Sequence, residues 1–563
     1  MVRAFPPLDR RSVAMQGLSA GQPIYSVKDL RRRFGDREIL KGATFSLYPG
    51  DRVGVVGVNG AGKSTMMRIL AGSDTEYEGS IIPAKGLTVG YVPQEPDLDL
   101  ELTVEENVML AVKETLDLLK RRDEIYELYA EPEYAEGEKL EQLLKEQGEV
   151  ESALESKGVN DEAEVMNKID QAWDALNLPP RDRPAKVCSG GEKRRVSICQ
   201  SLLKHPDLLI LDEPTNHLDI EAREWLLEFL KGFEGAVLLT SHDRFFLDAL
   251  VGRILELEMG RVEVYHGNYT HFETEKPARR ARLEAMHERQ QKEIKAHEEF
   301  IAKNRAHPAT SKMAQSRQKQ LDKIVPIVLP PQPPKDLRLR FADSGKSGHV
   351  VFRLEGVAKR YGELEVFADA NLELVAGTRL AVTGVNGAGK TTLLKLLAGK
   401  EEPSEGALSL GHNVQLQYFS QYTDDIDEDD ARTVLQWIEE AAPDEPPVPL
   451  RTLLGSFLFS GDDVFKPVRV LSGGERARLK IARMLLRPGN VLVMDEPTNH
   501  LDLHSQGVLL EALQRFGGTV IFVSHDRVFV RELATAVLHI ADGRVGFYPC
   551  DYEQFRWKQS QEA

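Results

Sequence analysis

At 563 residues the chain exceeds what a single hydrophobic core ordinarily fills, about 250–300 residues, so more than one domain is expected. Its 41% apolar content is ordinary for a globular protein, and no uninterrupted apolar run approaches the ~18–20 residues that a membrane-crossing helix needs. A net charge of −17 excludes nucleic-acid binding over the whole surface, while Cys188, Cys199 and Cys550 form neither a metal spacing nor a disulfide framework, which points to a reducing, cytoplasmic setting.

In chain order, "MVRAFPPLDRRSVAMQGLSAGQP" lacks the apolar stretch of a secretory signal, so residues 1–23 are expected to be a disordered leader. A transit peptide carrying Arg3, Arg10 and Arg11, or a true start at Met15, are the alternatives. "GVNGAGKST" (Gly57–Thr65) then fits the phosphate-binding pattern G-x-x-x-x-G-K-[ST]. Gly57, Gly60 and Gly62, with Asn59 and Ala61 between them, let backbone N–H groups crowd around phosphates at a helix start. Lys63 adds a point charge, Ser64 can ligate Mg²⁺, and Thr65 completes this candidate nucleotide-binding set.

Gln94 follows in "YVPQ", and "CSGGEKRR" (Cys188–Arg195) offers Ser189, Gly190, Gly191 and Glu192 at a helix start, groups suited to a γ-phosphate. "LLILDE" reads as a buried parallel strand ending in two carboxylates. Asp212, at the strand end, is the candidate metal ligand; Glu213 comes one residue later, placed to orient or deprotonate the attacking water. "AVLLTS" (Ala236–Ser241) has the composition of another buried strand and leads to His242 in "SHDR".

Residues 273–325 read as charged helix interrupted at His307-Pro308, followed by the Pro-rich strap "VPIVLPPQPPK" (Val325–Lys335), which stops any helix. From Lys276 to Lys323 there are 13 Lys or Arg against 6 Asp or Glu, and no acid falls between Glu299 and Asp322. Lys303, Arg305, Lys312, Arg317 and Lys319 form a basic tip inside an acidic protein, suited to a polyphosphate; a solvated helical linker is the alternative.

Every mark then returns. "GVNGAGKTT" (Gly384–Thr392) supplies Gly384, Asn386, Gly387, Ala388, Gly389, Lys390, Thr391 and Thr392, and "YFSQ" supplies Gln421. "LSGGERAR" supplies Ser472, Gly473, Gly474 and Glu475, "VLVMDE" ends in Asp495 and Glu496, and the second "SHDR" contains His525. The octet "DEPTNHLD" stands at Asp212–Asp219 and again at Asp495–Asp502. Lys63 and Gln94 are 31 positions apart, as are Lys390 and Gln421; Ser189 precedes Asp212 by 23, as Ser472 precedes Asp495. Only the interval from glutamine to serine differs, 95 positions against 51, so 44 residues are inserted within about Thr115–Gly158 of the first half. The chain is a duplication with one added part.

This ordered series resembles the ATP-binding-cassette superfamily over roughly residues 24–271 and 350–557. The resemblance implies that the S-G-G-E segment of one cassette closes over ATP held by the other. Lys63, Asp212 and Glu213 would then face Ser472–Glu475, and Lys390, Asp495 and Glu496 would face Ser189–Glu192. It also assigns His242 and His525 to γ-phosphate sensing, Gln94 and Gln421 to Mg²⁺ or water contact, and Phe34 and Tyr361 to stacking on adenine. Cys188 departs from the leucine usual before the serine, a mild change.

Two cassettes in one chain, no membrane segment, "DEPTNHLD" in both and a charged helical linker are similar to the ABC-F family. The implied fold is α/β: two tandem ABC-type P-loop ATPase domains (24–271 and 350–557) joined by a basic helical linker and strap (272–349). A helical arm is inserted at about 115–158, and 558–563 form a tail. The implied activity is ATP hydrolysis with Mg²⁺ in a monomer whose cassettes pair with one another. The implied partner is the ribosome near its E site, with rRNA and P-site tRNA contacts from the linker and control of translation elongation as the outcome. The segment "DEIYELYAEPE" resembles the arm of throttle-type members. Its acidity points to a basic protein of the stalk beside the E site; a hairpin with no partner is the alternative. An end at Ala563, soon after the second cassette, disfavours relatives with a DNA-associated C-terminal coiled coil. An exporter motor with a separate permease chain would leave the linker without an evident role. A DNA-repair ATPase would ordinarily show zinc-binding cysteines or very long coiled coils.

Overall fold

The computed structural model describes residues 21–35, 37–94, 96–134, 137–204, 206–216, 218–304, 311–327, 329, 345–420, 430–443, 446–459, 461–499 and 501–562. The expected leader up to residue 20, Arg305, Gln421 and most of the Pro-rich strap lie outside these residues.

Aliphatic runs bounded by turns become strands in each half. The first contains β1 (Tyr25–Phe34), β2 (Arg37–Leu47), β3 (Arg52–Val56), β4 (Glu78–Pro83), β5 (Val89–Val92), β6 (Leu208–Asp212), β7 (Ala236–Thr240), β8 (Arg253–Glu258) and β9 (Arg261–His266). An antiparallel sheet runs β2-β1-β4, and a second sheet runs β5-β6-β7-β3-β8-β9. That second sheet is parallel except for the β8–β9 hairpin. β6 and β7 are buried at every position, which is why "LLILD" and "AVLLT" carry no polar alternation. The P-loop helix, Lys63–Leu70, lies between the two sheets and buries Met66 and Met67 among Val27, Leu40, Leu208 and Leu238.

The second half repeats the plan with β10 (Val350–Tyr361), β11 (Leu364–Val375), β12 (Arg379–Thr383), β13 (Glu405–Leu410), β14 (Leu416–Phe419), β15 (Val491–Asp495), β16 (Thr519–Val523), β17 (Ala536–Ala541) and β18 (Arg544–Tyr548). Here the strands join in one order, β13-β10-β11-β18-β17-β12-β16-β15-β14, through the pair Ala368 and Arg544. The difference from the first half is slight. The Ala368 N–H donates to Gly543 O at 2.9 Å, and the Lys41 N–H donates to Gly260 O at 2.7 Å in the equivalent place. The chain is therefore an α/β protein of two tandem cassettes, as its repeats imply. No helix among the described residues is long and apolar enough to cross a membrane.

The inserted residues extend an element that both halves possess. A capping box at Thr103 and Glu106 starts the helix Val104–Leu128; the same box at Thr433 and Gln436 starts Val434–Glu439. The first helix runs 25 residues and the second only 6, so the arm grows outward from a shared helix start. A second arm helix, Glu138–Lys157, returns and ends at Gly158 in the left-handed conformation. Leu119, Ile125, Leu143, Val150 and Leu154 are buried in the arm and continue the core of the first half. Arg121 grips Glu146 with two hydrogen bonds of 2.8 and 3.0 Å, and Lys157 meets Glu114 at 3.2 Å near the arm's base. Such half-exposed pairs each contribute about 0–1 kcal/mol, so the apolar seam holds the hairpin and the ion pairs set its register.

The linker helix, Tyr269–Asn304, begins inside the first cassette, where Tyr269 and Phe272 are buried and the Phe272 ring meets Tyr265 edge-on at 4.9 Å. Ser311–Leu321 folds back on it: His297 and Ala314 are buried, and the Arg317 guanidinium lies 5.4 Å from the Phe300 ring centroid. Acids neutralise the stem of this hairpin. Lys276 pairs with Glu256, Arg279 with Glu275 at 2.7 Å, and Arg280 with Glu284 at 3.2 Å. Lys303, Lys312, Arg317 and Lys319 are exposed and take part in no ion pair among the described residues. The basic excess counted along the linker is thus concentrated toward its turn.

Because the arm leaves the cassette between Glu114 and Val159, removing 115–158 and closing the gap with a short Gly/Ser loop should preserve the cassette. Basal ATPase is expected within a few-fold of the full chain, with a cooperative thermal transition. An insoluble or inactive product in the same assays would place the arm in the catalytic core.

Candidate active site

Two P-loops open at the C-terminal ends of β3 and β12. Their glycines are demanded by space as well as by dihedral angle. Gly57 (φ 154°) and Gly62 (φ 104°) would place a Cβ 2.5 Å from Leu257 O and 2.4 Å from Ile39 Cγ2. Gly384 and Gly389 repeat this against Ile540 O and Val366 Cγ1, each at 2.4 Å. Gly62 and Gly389 start their helices without a side-chain cap, having no side chain to offer the first-turn N–H groups. Lys63 Nζ donates to Gly57 O at 2.7 Å, and Lys390 Nζ to Gly384 O at 2.8 Å, which folds each loop over its own lysine. Burial lowers the Lys63 pKa; the carboxylates of Glu213, Asp502 and Asp212 oppose that. A cleft of about 620 Å³ opens beside the first loop, lined by Ile39, Lys41 and Val58–Ala61.

Asp212 and Glu213 stand at the end of β6, and Asp495 and Glu496 at the end of β15. Both glutamates have positive φ, 52° and 48°, a conformation that costs a residue other than glycine roughly 1–3 kcal/mol. Neighbouring polar groups hold them there. Thr240 Oγ1 accepts from the Glu213 N–H at 2.8 Å and donates to Asp212 Oδ1 at 2.7 Å; the Glu496 N–H donates to Val523 O at 3.0 Å. The His242 N–H donates to Glu213 Oε2 at 3.1 Å, and His242 Nε2 lies 3.3 Å from Oε1. His525 and Glu496 repeat both contacts, each at 3.3 Å. The histidines and glutamates of the sequence reading are therefore neighbours within each half.

Burial pushes both glutamates up to about 7, with Lys63 and Lys390 respectively pulling down and the adjacent aspartates pushing up. A carboxylate near neutrality is suited to taking a proton from water at cellular pH. Asp212 Oδ2 is buried with no hydrogen-bond partner among the described residues, while Asp495 bonds Thr391.

Ser189 and Ser472 cap their helices through capping boxes: the Glu192 and Glu475 N–H groups each donate to the serine Oγ at 3.3 Å. Both serines and the glycines after them, Gly190 and Gly473, are exposed at the helix start. Gln94 is likewise exposed. Phe34 ends β1 with Arg32 4.5 Å from its ring centroid; Tyr361 ends β10, exposed, with its hydroxyl donating to Glu401.

The last residue of each octet makes a contact that the sequence reading missed. Asp502 caps its own helix, accepting from the Ser505 N–H at 2.8 Å with Oδ1, while Oδ2 accepts from the Asn59 N–H at 3.2 Å. Asp219 likewise accepts from Ala222 N–H at 3.0 Å and from Asn386 N–H, in the other half, at 3.4 Å. Arg478, on the helix that Ser472 begins, lies 3.6 Å from Asp502 Oδ2. The first P-loop and the second S-G-G-E helix thus share one carboxylate. Arg223 crosses the same interface, donating to Asp243 at 3.0 Å and to His525 O at 2.8 Å, and Glu224 pairs with Arg527 and with Arg556 at 3.0 Å. The repetition of the octet's final aspartate was the only signal available for this contact.

The raised glutamate pKa values carry a stability cost of defined sign. A carboxyl raised from 4.5 to about 7 lends full stability below pH 4.5, and that stability is lost as pH rises through 7. The shift corresponds to roughly 3 kcal/mol per carboxyl. Glu213→Gln/Glu496→Gln is accordingly expected to melt with the wild type near pH 4.5 and well above it at pH 8, without nucleotide. Calorimetric melting across that range checks this; parallel curves would mean the carboxyls are not held at cost.

Comparisons with known proteins identify the cassettes. A family model described as ABC transporter matches residues 40–216 and 367–499, and a second of the same description matches 255–341. The chain is similar to the Energy-dependent translational throttle protein EttA of Haemophilus influenzae, 38% identical over 94% of each chain. It is also similar to the Putative ATP-binding protein YdiF of Bacillus subtilis, 38% identical over 96% of this chain and 83% of that one. Among solved structures it resembles an archaeal ribosome recycling factor, aABCE1, in complex with ribosomal stalk protein aP1. There the TM-score is 0.57 at 21% identity, over 94% of this chain and 92% of that one, a likeness of fold. With two nucleotide-binding cassettes and 38% identity to such a relative over 94% of its length, the chain belongs to the ABC-F family and is an ATP hydrolase.

Proposed function

We propose that the chain is a cytoplasmic, ribosome-associated ATPase whose cassettes close on ATP and reopen on hydrolysis, passing that cycle to the E-site region to control elongation. The observation that carries the ribosomal part is the exposed, unneutralised basic end of the linker hairpin, Lys303, Lys312, Arg317 and Lys319, in a protein of net charge −17. Near-full-length likeness to a protein named a translational throttle supports the same reading. Arg305 would belong to the same patch, which would meet rRNA and P-site tRNA phosphates. The acidic arm, with its stem of paired helices, would meet a basic stalk protein.

Within each composite site the geometry and the resemblance to ATP-binding cassettes support the following roles. Lys63 and Lys390, with the loop N–H groups, would bind the β- and γ-phosphates, and Ser472 and Ser189 would approach from the opposite half. Ser64 and Asp212, with Gln94, would hold Mg²⁺, and Thr391 and Asp495, with Gln421, would do so in the second site. The all-oxygen donors and the unpartnered Asp212 Oδ2 fit a hard cation. Bound there, Mg²⁺ neutralises charge on the phosphates. Glu213 and Glu496 would take the proton of the attacking water, with His242 and His525 fixing the carboxylates and sensing the γ-phosphate. Phe34 and Tyr361 would stack on adenine.

Glu213→Gln with Glu496→Gln should retain ATP binding and cut turnover on the order of 10²–10⁴-fold. Phosphate release measured within a few-fold of wild type would remove the glutamates from this role. For the linker, changing Lys303, Arg305, Lys312, Arg317 and Lys319 to Ala in that trapped background should weaken pelleting with ribosomes. The salt dependence should also flatten, by about 0.7 in log–log slope for each phosphate that the side chains cease to neutralise. Equal pelleting and equal slopes across the salt series would reduce the linker to a tether.

A further inference from the structure

The two halves differ at more than one buried position beside the carboxylates, Thr240 against Val523 among them, and the largest change in chemistry is at Arg194. Arg194, five positions after Ser189 in the first half, is only 2% exposed. Its guanidinium donates to three backbone carbonyls at once, those of Gln94, Asp212 and Glu213. It therefore ties the helix Gly190–Leu203 to the glutamine loop and to the turn in which Glu213 is held at positive φ. That helix is in turn tied to the helix that carries the arm, through Gln200 Nε2 to Asn107 O at 2.6 Å. At the same distance from Ser472 the second half has Ala477, which has no group to donate. Glu496 is instead approached by a cation from across the interface, Arg223, which holds the carbonyl of His525.

We propose that Arg194 is a positioning residue of the Glu213 site alone, so that the two ATP sites are intrinsically unequal and the arm-bearing half governs its own site through this side chain. The proposal rests on the assignment of Glu213 and Glu496 as the bases of the two sites. A planar fork can hold three carbonyls in fixed relation, which a point charge cannot. Displacement of a reacting group by about 1 Å can cost on the order of 10²-fold in rate.

The test uses the full chain in two single-site backgrounds, Glu496→Gln (first site active) and Glu213→Gln (second site active). Arg194→Ala should lower kcat in the first background by roughly 10- to 100-fold with KM for ATP changed only a few-fold. In the second background the same change should alter kcat less than about twofold, and this surviving turnover also reports that the clamp folds. Arg194→Lys should leave kcat in the first background depressed, because an ammonium group cannot hold the three carbonyls in fixed relation. Equal losses in both backgrounds with Arg194→Lys, or no loss in the first with Arg194→Ala, would overturn the proposal. If the Glu213→Gln/Glu496→Gln chain itself turns over normally, the assignment of the bases has failed, a result distinguishable from failure of Arg194.

Discussion

A carboxylate with two oxygens and two obligations holds the molecule together. Asp502 satisfies the start of its own helix with Oδ1 and a P-loop N–H 443 residues away with Oδ2, and Asp219 does the same in reverse. Capping alone would require an acid or serine at that helix start and nothing more. The second contact makes each phosphate loop dependent on the opposite half, and it places Arg478 within reach of the first one. Everything chemical in the protein is assembled around those crossings: the lysines, the strand-end carboxylates and the histidines that face them. Neither half on its own contains the full set of neighbours that its P-loop has in the closed pair.

Duplication has not produced identical copies. The Glu213 turn is held by Thr240 and Arg194, and the Glu496 turn by a backbone carbonyl, with Arg223 from the other half bonding the carbonyl of His525 beside it. Both strained glutamates persist because several partners over-determine them, and those partners differ between halves. The arm makes the same point on a larger scale. It lengthens a helix whose capping box both halves share, so the insertion adds reach without disturbing the cassette's own start signal.

What could be read in the sequence was what short-range stereochemistry enforces. The P-loop glycines were legible because a Cβ at Gly57 or Gly62 meets backbone or a packed side chain at about 2.5 Å, so no other residue type fits. Buried strands such as "LLILD" and "AVLLT" were legible because residues covered on both faces leave an unbroken apolar run. Contacts across hundreds of residues leave no periodicity, so the Asp502–Asn59 crossing was hidden although its aspartate repeats. Arg194 sat in "GEKRR", a charge run that reads as solvated, and only tertiary packing turns it inward. The linker's basic count was similarly incomplete. Its stem charges are cancelled by acids such as Glu256, on a strand well separated from the linker's turn.

The rooting of the linker has a mechanical consequence. Tyr269 and Phe272 are embedded in the first cassette, and the helix that starts there continues for 36 residues. At 1.5 Å per residue its far end stands about 54 Å from its anchor. A rod of that length converts angle into travel: a turn of about 10° at the root displaces the far end by roughly 9 Å. Ångström-scale rearrangement around a phosphate would thus be delivered as a nanometre-scale sweep, with the anchoring aromatics as the fulcrum.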